Sequence, residues 1–272
     1  MKKHFISLAV ISMFLLFSTN FVTADNTNAP QASVNAFAKH YGQILEASER
    51  GPLDALVYID LELEDGKVLD ALLNLGYTIT VATDWFDFST ELNTGDYGLA
   101  VAFNQNFTWE STGAKPTLLP ALTAYIGNGG SVVFGDWRTD NDFATLFEAQ
   151  FTGVNNQTQM TLDASIEDGL PNPLTLSNTG WGIFSTGLVA IGGGQALATF
   201  PNGDASIVRG NSGRTIILGY LSDTPPADDR QQLFENLFVV ATDPPVPLSN
   251  WALYLGIFLM IAFVVIRFRR MI

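Results

Sequence analysis

Polar and aromatic side chains follow four apolar segments of the sequence, and their types suit a hydroxyl-rich ligand such as a sugar. Carboxylates and amides bind hydroxyl groups, and an indole ring offers a flat face on which a sugar ring can stack. An alternative interpretation is that Asp84 and Asp136 cap following turns, while Trp85 and Trp137 are half-buried packing residues. The candidate ligand-binding residues are Asp60, Asp84, Trp85, Asn104, Asp136, Trp137 and Arg138, and further polar groups at strand ends are Glu62, Asn106, Tyr220, Ser222 and Asp223.

Acid–base catalysis and calcium binding are two other functions that Asp136 could serve together with neighbouring carboxylates. Asp136 with Asp60 or Asp84 would form the acid–base pair of a carbohydrate hydrolase, whose two carboxyl groups stand about 5–9.5 Å apart. Asp136, Asp140 and Asp142 lie within seven residues and offer the oxygen ligands that Ca²⁺ prefers, but they lack the glycine and terminal glutamate of an EF-hand loop. We expect no cofactor.

The composition argues against several kinds of catalytic site. The 272 residues include no cysteine, which removes thiolate nucleophiles, disulfides and every cysteine-based metal site. His4 lies in a predicted signal peptide, so a Ser–His pair would have to recruit His40, and no Gly-x-Ser-x-Gly segment marks a nucleophile elbow. The net charge of −14 argues against a nucleic-acid partner, because phosphate binding needs clustered lysine and arginine.

The segments that must position these side chains alternate between strand and helix patterns, which is typical of a parallel sheet with helices on both faces. Short apolar runs predict strands at 56–59, 77–83, 97–103 and 131–134. Apolar residues at helical spacing predict helices through 65–75 and from Pro120 onward. We therefore expect the polar residues to meet at the carboxyl ends of the strands, where open α/β sheets bind ligands.

The second half of the chain changes character. From Phe151 to Gly194 the many Thr, Asn and Gly residues predict an irregular, β-rich insertion. A Pro-Asn-Gly-Asp turn between 196–200 and 205–209 predicts a hairpin, 214–220 predicts a strand, and 228–240 predicts a closing helix. The predicted fold class is a flavodoxin-like α/β sheet with helices on both faces, a β-rich insertion, and a C-terminal transmembrane helix.

Both ends carry apolar segments that indicate export and membrane insertion. Residues 1–24 combine two lysines, an apolar run and a small-residue pattern ending at Ala24, which predicts a cleaved signal peptide; an uncleaved anchor is the alternative. The apolar run 251–266 with the arginines after it predicts a transmembrane helix and a cytoplasmic C-terminus; a buried core helix is the alternative. Between Asp25 and Asp243 lie all 27 acidic but only eight basic residues, so this predicted ectodomain carries a net charge of −19.

The C-terminal residues resemble a bacterial sorting signal. Pro-Val-Pro-Leu-Ser-Asn-Trp-Ala-Leu (245–253), the apolar run and Arg-Phe-Arg-Arg (267–270) are similar to the PEP-CTERM and IPTL-CTERM tripartite signals that exosortases process. Val-Pro-Leu-Ser stands where those signals have Ile-Pro-Thr-Leu or Pro-Glu-Pro. The resemblance implies cleavage near Pro247 and a final position at the outer surface of a Gram-negative envelope. The residues that carry it are Val246, Pro247, Leu248, Ser249, Trp251, Arg267, Arg269 and Arg270.

The middle of the chain resembles the class I glutamine amidotransferase-like superfamily, including its trehalose-utilisation type. The resemblance covers about residues 54–241 and rests on Val68 to Thr83, on Leu122 to Phe134 with its Gly-Gly turn, and on Gly213 to Tyr220 with the helix after it. It implies that superfamily's α/β fold. In its amidotransferases a cysteine on a tight turn after a central strand acts with a histidine. Asp136 occupies the comparable position here, so the resemblance implies a domain without that chemistry.

These observations predict an exported protein in six segments. They are a signal peptide (1–24), a linker with an amphipathic helix (25–53), an amidotransferase-like α/β domain (54–241), a Pro-rich linker with the sorting motif (242–250), a transmembrane helix (251–266) and a basic cytoplasmic tail (267–272). Expected partners are the membrane, the export machinery, an exosortase-type processing enzyme and a polysaccharide ligand, but no nucleic acid.

The expected function is a non-catalytic binding or envelope-structural role for a membrane-anchored or surface-sorted protein. The rival hypothesis is the carboxylate-dependent carbohydrate hydrolase on the same domain. A third hypothesis is a scaffold role within a larger complex, which a broad apolar patch on the outside of the domain would favour.

Overall fold

A computed structural model describes residues 51–94, 96–137 and 140–242. The predicted signal peptide, most of the 25–53 segment, the sorting motif, the transmembrane helix 251–266 and the basic tail lie outside the described residues, as does Arg138. Within the described ranges, no helix has the length and apolar character needed to cross a membrane.

The described chain alternates strands and helices in its first half and consists mainly of strands in its second half. In chain order the elements are β1 (Asp54–Ile59), α1 (Val68–Asn74), β2 (Thr78–Val81), α2 (Trp85–Thr94), β3 (Leu99–Asn104), α3 (Lys115–Gly127), β4 (Ser131–Asp136), α4 (Asn141–Leu146), β5 (Ala149–Val154), β6 (Gln159–Leu162), β7 (Leu174–Thr175), β8 (Thr186–Ala190), β9 (Gln195–Thr199), β10 (Ala205–Gly210), a 3₁₀ turn (Asn211–Gly213), β11 (Thr215–Leu218) and α5 (Ala227–Thr242).

Five parallel strands form the centre of the sheet in the order β2-β1-β3-β4-β11, which is the flavodoxin-like order. The chain adds β2 on one side of β1 and β3 on the other, so the strand order reverses between β1 and β3. Antiparallel strands β10, β9, β6 and β7 continue the sheet beyond β11, and β8 pairs with β10 and β5. The sheet is therefore mixed, because the predicted β-rich insertion lengthens it.

The strands separate two hydrophobic cores, since successive side chains of a strand point to opposite faces. Val57 and Val101 face the core that α1, α5 and part of the insertion cover. Leu56 and Ala100 face the core that α2, α3 and α4 cover. β3 is buried along its whole length, which explains its nearly continuous apolar sequence.

Three helices differ from the sequence prediction. α3 begins at Lys115, with a proline in its first turn, and Pro120 lies inside it. Pro120 is tolerated because it is exposed and removes a single backbone hydrogen bond near the start of the helix. α2 and α4 were not predicted, because their sequences are rich in Thr, Asn and Asp and each buries only a few side chains, among them Phe88 in α2 and Phe143 in α4.

Candidate functional site

Three of the predicted site residues stand at the same level of three adjacent strands. Asn104, the last residue of β3, pairs with Asp136, the last residue of β4. Asp60 follows β1, and its backbone N–H donates to the carbonyl oxygen of Phe103 at 3.1 Å. Neighbouring strands lie ~4.8 Å apart, which places the backbones of Asp60 and Asp136 roughly 10 Å from each other. We call the end of the sheet that carries this row the carboxyl edge.

Asp60 joins the loops after β1 and β3. Its carboxylate accepts hydrogen bonds from the backbone N–H groups of Leu61 at 2.7 Å, Gln105 at 2.6 Å and Asn106 at 2.9 Å. Burial raises the pKa of Asp60 to about 6, although the backbone hydrogen bonds act in the opposite direction. The Asp60 carboxylate lies between β1 and β3, where the strand order reverses, and its two oxygens are occupied by these three backbone N–H groups.

Asn104 and Asp136 are buried polar residues at the ends of central strands. Asp136 is 5% exposed, and Asn104 is fully buried. Neither polar atom of the Asn104 side chain has a hydrogen-bond partner within the part of the chain that the structure describes. A buried amide in this state is uncommon and is a place where water or a polar ligand group binds.

Trp137 turns toward the insertion instead of toward solvent. Its backbone N–H donates to the carbonyl of Asn104 at 2.7 Å, and its indole Nε1–H donates to the carbonyl of Ile183 at 3.1 Å. The ring packs, partly buried, against the core beneath α5. The packing interpretation of Trp137 therefore agrees with its surroundings.

Asp84 and Trp85 mark the beginning of α2 at the same edge. The Asp84 carboxylate accepts from the backbone N–H groups of Phe86 and Asp87, each at 2.8 Å, and thereby caps the helix. The half-buried Trp85 ring contacts the Phe86 ring edge-on, with centroids 6.0 Å apart. Phe86 is 58% exposed, and Phe107, in the loop after β3, is 52% exposed. Sequence reasoning missed both phenylalanines, although an aromatic residue within a polar segment such as Gln-Asn-Phe-Thr was the available signal.

Glu62, Gln105 and Ser222 form a hydrogen-bonded network that links the loops after β1, β3 and β11. The Ser222 hydroxyl donates to Glu62 Oε1 at 2.6 Å and accepts from Gln105 Nε2 at 2.9 Å. The Ser222 backbone N–H donates to Gln105 Oε1 at 2.6 Å. Burial raises the pKa of Glu62 to about 7. Ser222 is itself buried and fully engaged, so it is poorly placed to act as a nucleophile.

Asp223 and Arg230 fix the loop after β1 to the loop after β11. The buried Asp223 carboxylate accepts from the backbone N–H groups of Leu63 at 2.8 Å and Glu64 at 3.2 Å, and from Trp181 Nε1 at 2.9 Å. Burial raises the pKa of Asp223. Arg230, only 3% exposed, donates to the carbonyls of Pro225 and Asp65 and to the Glu64 carboxylate. Sequence reasoning missed Gln105, Trp181 and Arg230.

Two of the three acidic residues considered as calcium ligands, Asp140 and Asp142, bind a lysine. Lys115 Nζ lies 2.8 Å from Asp140 and 2.7 Å from Asp142. Asp140 also caps α4 by accepting from the backbone N–H of Asp142 at 2.8 Å. Across residues 51–94, 96–137 and 140–242, no group of three acidic or histidine residues is placed to hold a metal ion. Within the described residues, Asp140 and Asp142 therefore pair with Lys115 and form no three-ligand group with Asp136.

Comparisons with known proteins concern the fold. No protein-family model and no curated protein sequence matches the chain. A glutamine amidotransferase from Thermotoga maritima superposes with a TM-score of 0.50 at 9% identity, covering 71% of this chain and 100% of that one. A ThuA-like protein from Bacteroides uniformis gives 0.49 at 14% identity, with 74% and 95% covered. A protein assigned as one of the GMP synthase subunits from Thermoplasma acidophilum gives 0.48 at 14%, with 70% and 94% covered. The likeness to the Thermotoga structure establishes a fold of the glutamine amidotransferase type for the α/β domain.

Proposed function

We propose that the chain is an exported, membrane-anchored or surface-sorted protein whose α/β domain binds a carbohydrate at the carboxyl edge without transforming it. The observation that carries the proposal is a contrast at this edge. The carboxylates of Asp60, Asp84 and Asp223 are engaged in internal hydrogen bonds, whereas two large aromatic side chains, Phe86 and Phe107, are left in solvent.

The first half of that contrast concerns the carboxylates. Asp60 accepts from three backbone N–H groups, Asp84 caps α2, and Asp223 accepts from two backbone groups and an indole. Such bonds hold loops in place, and a group held this way is poorly suited to move a proton to or from a substrate. The chain also lacks cysteine, and both histidines precede residue 51.

The second half concerns Phe86 and Phe107. Both lie in segments that leave the carboxyl edge on the side covered by α2 and α3, and both are more than half exposed. A flat exposed ring beside carboxylate and amide groups, here Asp84 and Asn106, is an arrangement that suits stacking of a sugar and hydrogen bonding of its hydroxyls. The net charge of −19 between Asp25 and Asp243 repels polyanions, so the ligand is a neutral or basic carbohydrate.

A glycan array tests this function with the full chain in detergent. We expect selective binding to neutral or amino sugars, reduced at least tenfold by Phe107→Ala or Phe86→Ala. Leu73→Ala, which removes an equally exposed apolar side chain from α1, is the matched control and leaves binding unchanged. Flat binding across the array, or equal loss in all three variants, would refute carbohydrate binding at this edge.

The location of the protein is tested separately by mass spectrometry of the mature chain. We expect residues 1–24 to be absent. A mass that ends near Pro247 supports sorting and cleavage by an exosortase-type enzyme, whereas a mass that includes 251–272 supports a permanent anchor. A mature chain that keeps residues 1–24 and stays in the soluble cell fraction would contradict both forms of the proposal.

The carbohydrate hydrolase is the second candidate, and one observation favours it. Asp60 and Asp136 occupy the same level of the sheet two strands apart, and burial raises the pKa of Asp60 to about 6, although its three backbone hydrogen bonds weigh against proton transfer by this group. Release of reducing ends from an oligosaccharide, lost in Asp136→Asn, would establish this activity. Binding of the same oligosaccharide without release would exclude it for that substrate.

A further inference from the structure

Both ends of the described chain lie at the amino edge, which is the end of the parallel sheet opposite the carboxyl edge. Gly51 stands just before β1, and its backbone N–H donates to the Asp54 carboxylate. At the other end, the hydroxyl of Ser131, the first residue of β4, donates to the carbonyl of Ala241 at 2.9 Å. The hydroxyl of Tyr77, just before β2, donates to the Thr242 hydroxyl at 3.4 Å. The segments that precede and follow the domain therefore leave it from one side.

The segment between the domain and the predicted transmembrane helix is short. It consists of the eight residues 243–250, three of which are proline. Eight residues span at most ~29 Å when fully extended. The domain of about 190 residues has an expected radius of gyration of ~16 Å and is therefore roughly 40 Å across. The tether is shorter than the domain is wide.

We propose that the amino edge faces the membrane and that the carboxyl edge faces away from it, toward partners in the surrounding aqueous layer. This inference rests on the membrane attachment in the proposed function. A tether fixed at Thr242 cannot pass around the domain and bring the opposite edge to the bilayer. Attachment through a new end near Pro247 leads to the same orientation, since that end also follows Thr242.

The orientation decides between two partners for Phe86 and Phe107. Exposed aromatic side chains of an exported protein can insert into the lipid interface or can contact a soluble ligand. Insertion would require the carboxyl edge to touch the membrane, which the tether prevents. The orientation therefore favours a soluble ligand over the lipid to which the chain is attached, and the proposed function identifies that ligand as a carbohydrate.

Because the chain contains no cysteine, single labels can be placed without removing any native residue. Asn128→Cys marks the amino edge, since Asn128 is exposed between α3 and β4. Glu110→Cys marks the carboxyl edge, since Glu110 is exposed in the loop between β3 and α3. Each full-length variant is labelled with a donor dye and reconstituted into vesicles of neutral phospholipid that contain an acceptor-labelled lipid. Energy transfer then reports the distance of each edge from the bilayer.

We expect transfer from position 128 to be at least twofold more efficient than transfer from position 110. Inserting a flexible Gly/Ser segment of about 25 residues after Thr242 should bring the ratio toward one, because the longer tether lets the domain turn. Equal transfer from the two positions in the natural chain, or a ratio that the insertion does not change, would overturn the proposal. The measurement contains no carbohydrate, so a failure of glycan binding does not affect it.

Discussion

The backbone N–H of Gln105 donates a 2.6 Å hydrogen bond to the carboxylate of Asp60, and this bond crosses the point at which the strand order reverses. In open α/β sheets that point is a crevice open to ligands. Here a carboxylate holds its two sides together, with Leu61 and Asn106 as further donors. The same position that fold topology marks for ligand binding is used here to fix the loop after β3, which carries the exposed Phe107.

Asp60→Ala should lower the free energy of unfolding by about 2–3 kcal/mol, because three backbone N–H groups lose their acceptor in a largely buried site. Asp60→Asn keeps one acceptor oxygen and should cost roughly half as much. Urea denaturation at pH 7 measures both values. Asp168→Ala, which removes an exposed carboxylate, should change stability by no more than about 0.5 kcal/mol. A loss below about 1 kcal/mol for Asp60→Ala would show that water readily replaces the carboxylate.

Stability should fall as the pH rises from about 4.5 to 7. The pKa of Asp60 rises on folding from 3.8 to about 6, and that of Glu62 from 4.5 to about 7, in both cases chiefly through burial. The folded chain therefore binds more protons than the unfolded chain in this window, and increasing pH favours unfolding. Asp65 and Asp163, whose pKa values are lowered, have the opposite effect but act below pH 4.

Glu62→Gln isolates the contribution of one group to this pH dependence. The free energy of unfolding of the natural chain falls between pH 4.5 and 8 as Glu62 loses its proton. The amide of the variant stays neutral, so the fall should be smaller in the variant by about 1–3 kcal/mol. Neighbouring Asp223 and Asp65 keep their own titrations in both proteins. Glu110→Gln, at an exposed position, should follow the natural chain. Parallel stability curves for Glu62→Gln and the natural chain would contradict a raised pKa for Glu62.

Arg230 should be far more important for stability than its ion-pair partner Glu64. Arg230 is 3% exposed and donates to two backbone carbonyls as well as to Glu64, which is 52% exposed. Arg230→Ala should cost about 3 kcal/mol, because the buried Pro225 carbonyl and the partly buried Asp65 carbonyl lose their donor and a cavity forms. Glu64→Ala should cost no more than about 1 kcal/mol, as for a surface ion pair. Thermal and urea unfolding measure both, and similar losses for the two variants would contradict this assignment.

The sequence predicts the parallel part of the fold well, because its signals are local. The apolar runs that became β1, β3 and β4 are buried on both faces, so their composition alone distinguishes them. α2 could not be predicted, because only Phe88, Ser89 and Leu92 are buried in it and the pairing of those residues with α3 is a tertiary effect.

The sequence predicts where several polar residues lie on the sheet, but not the hydrogen bonds between them. Reasoning from strand ends placed Asp60, Asn104 and Asp136 at one edge, and their register agrees with that expectation. The bonds of Ser222 to Gln105 and Glu62 join residues more than a hundred positions apart in sequence. Such hydrogen bonds depend on where the side chains lie after folding. The spacing and periodicity of residues along the sequence do not predict them.

Asn104→Ala should leave stability within about 1 kcal/mol of the natural chain, even though the residue is fully buried in a central strand. The Asn104 amide makes no hydrogen bond within the described residues, so its removal relieves the cost of burying a polar group and stabilises the fold. The small cavity left behind destabilises the fold, and the two effects oppose each other. Asn236→Ala is the matched comparison, because the Asn236 amide donates to the carbonyls of Ile166 and Asp168 and accepts from Gln232. That variant should cost about 1–2 kcal/mol. A loss above about 2 kcal/mol for Asn104→Ala, measured in urea without ligand, would mean that an ordered water bonds to the amide.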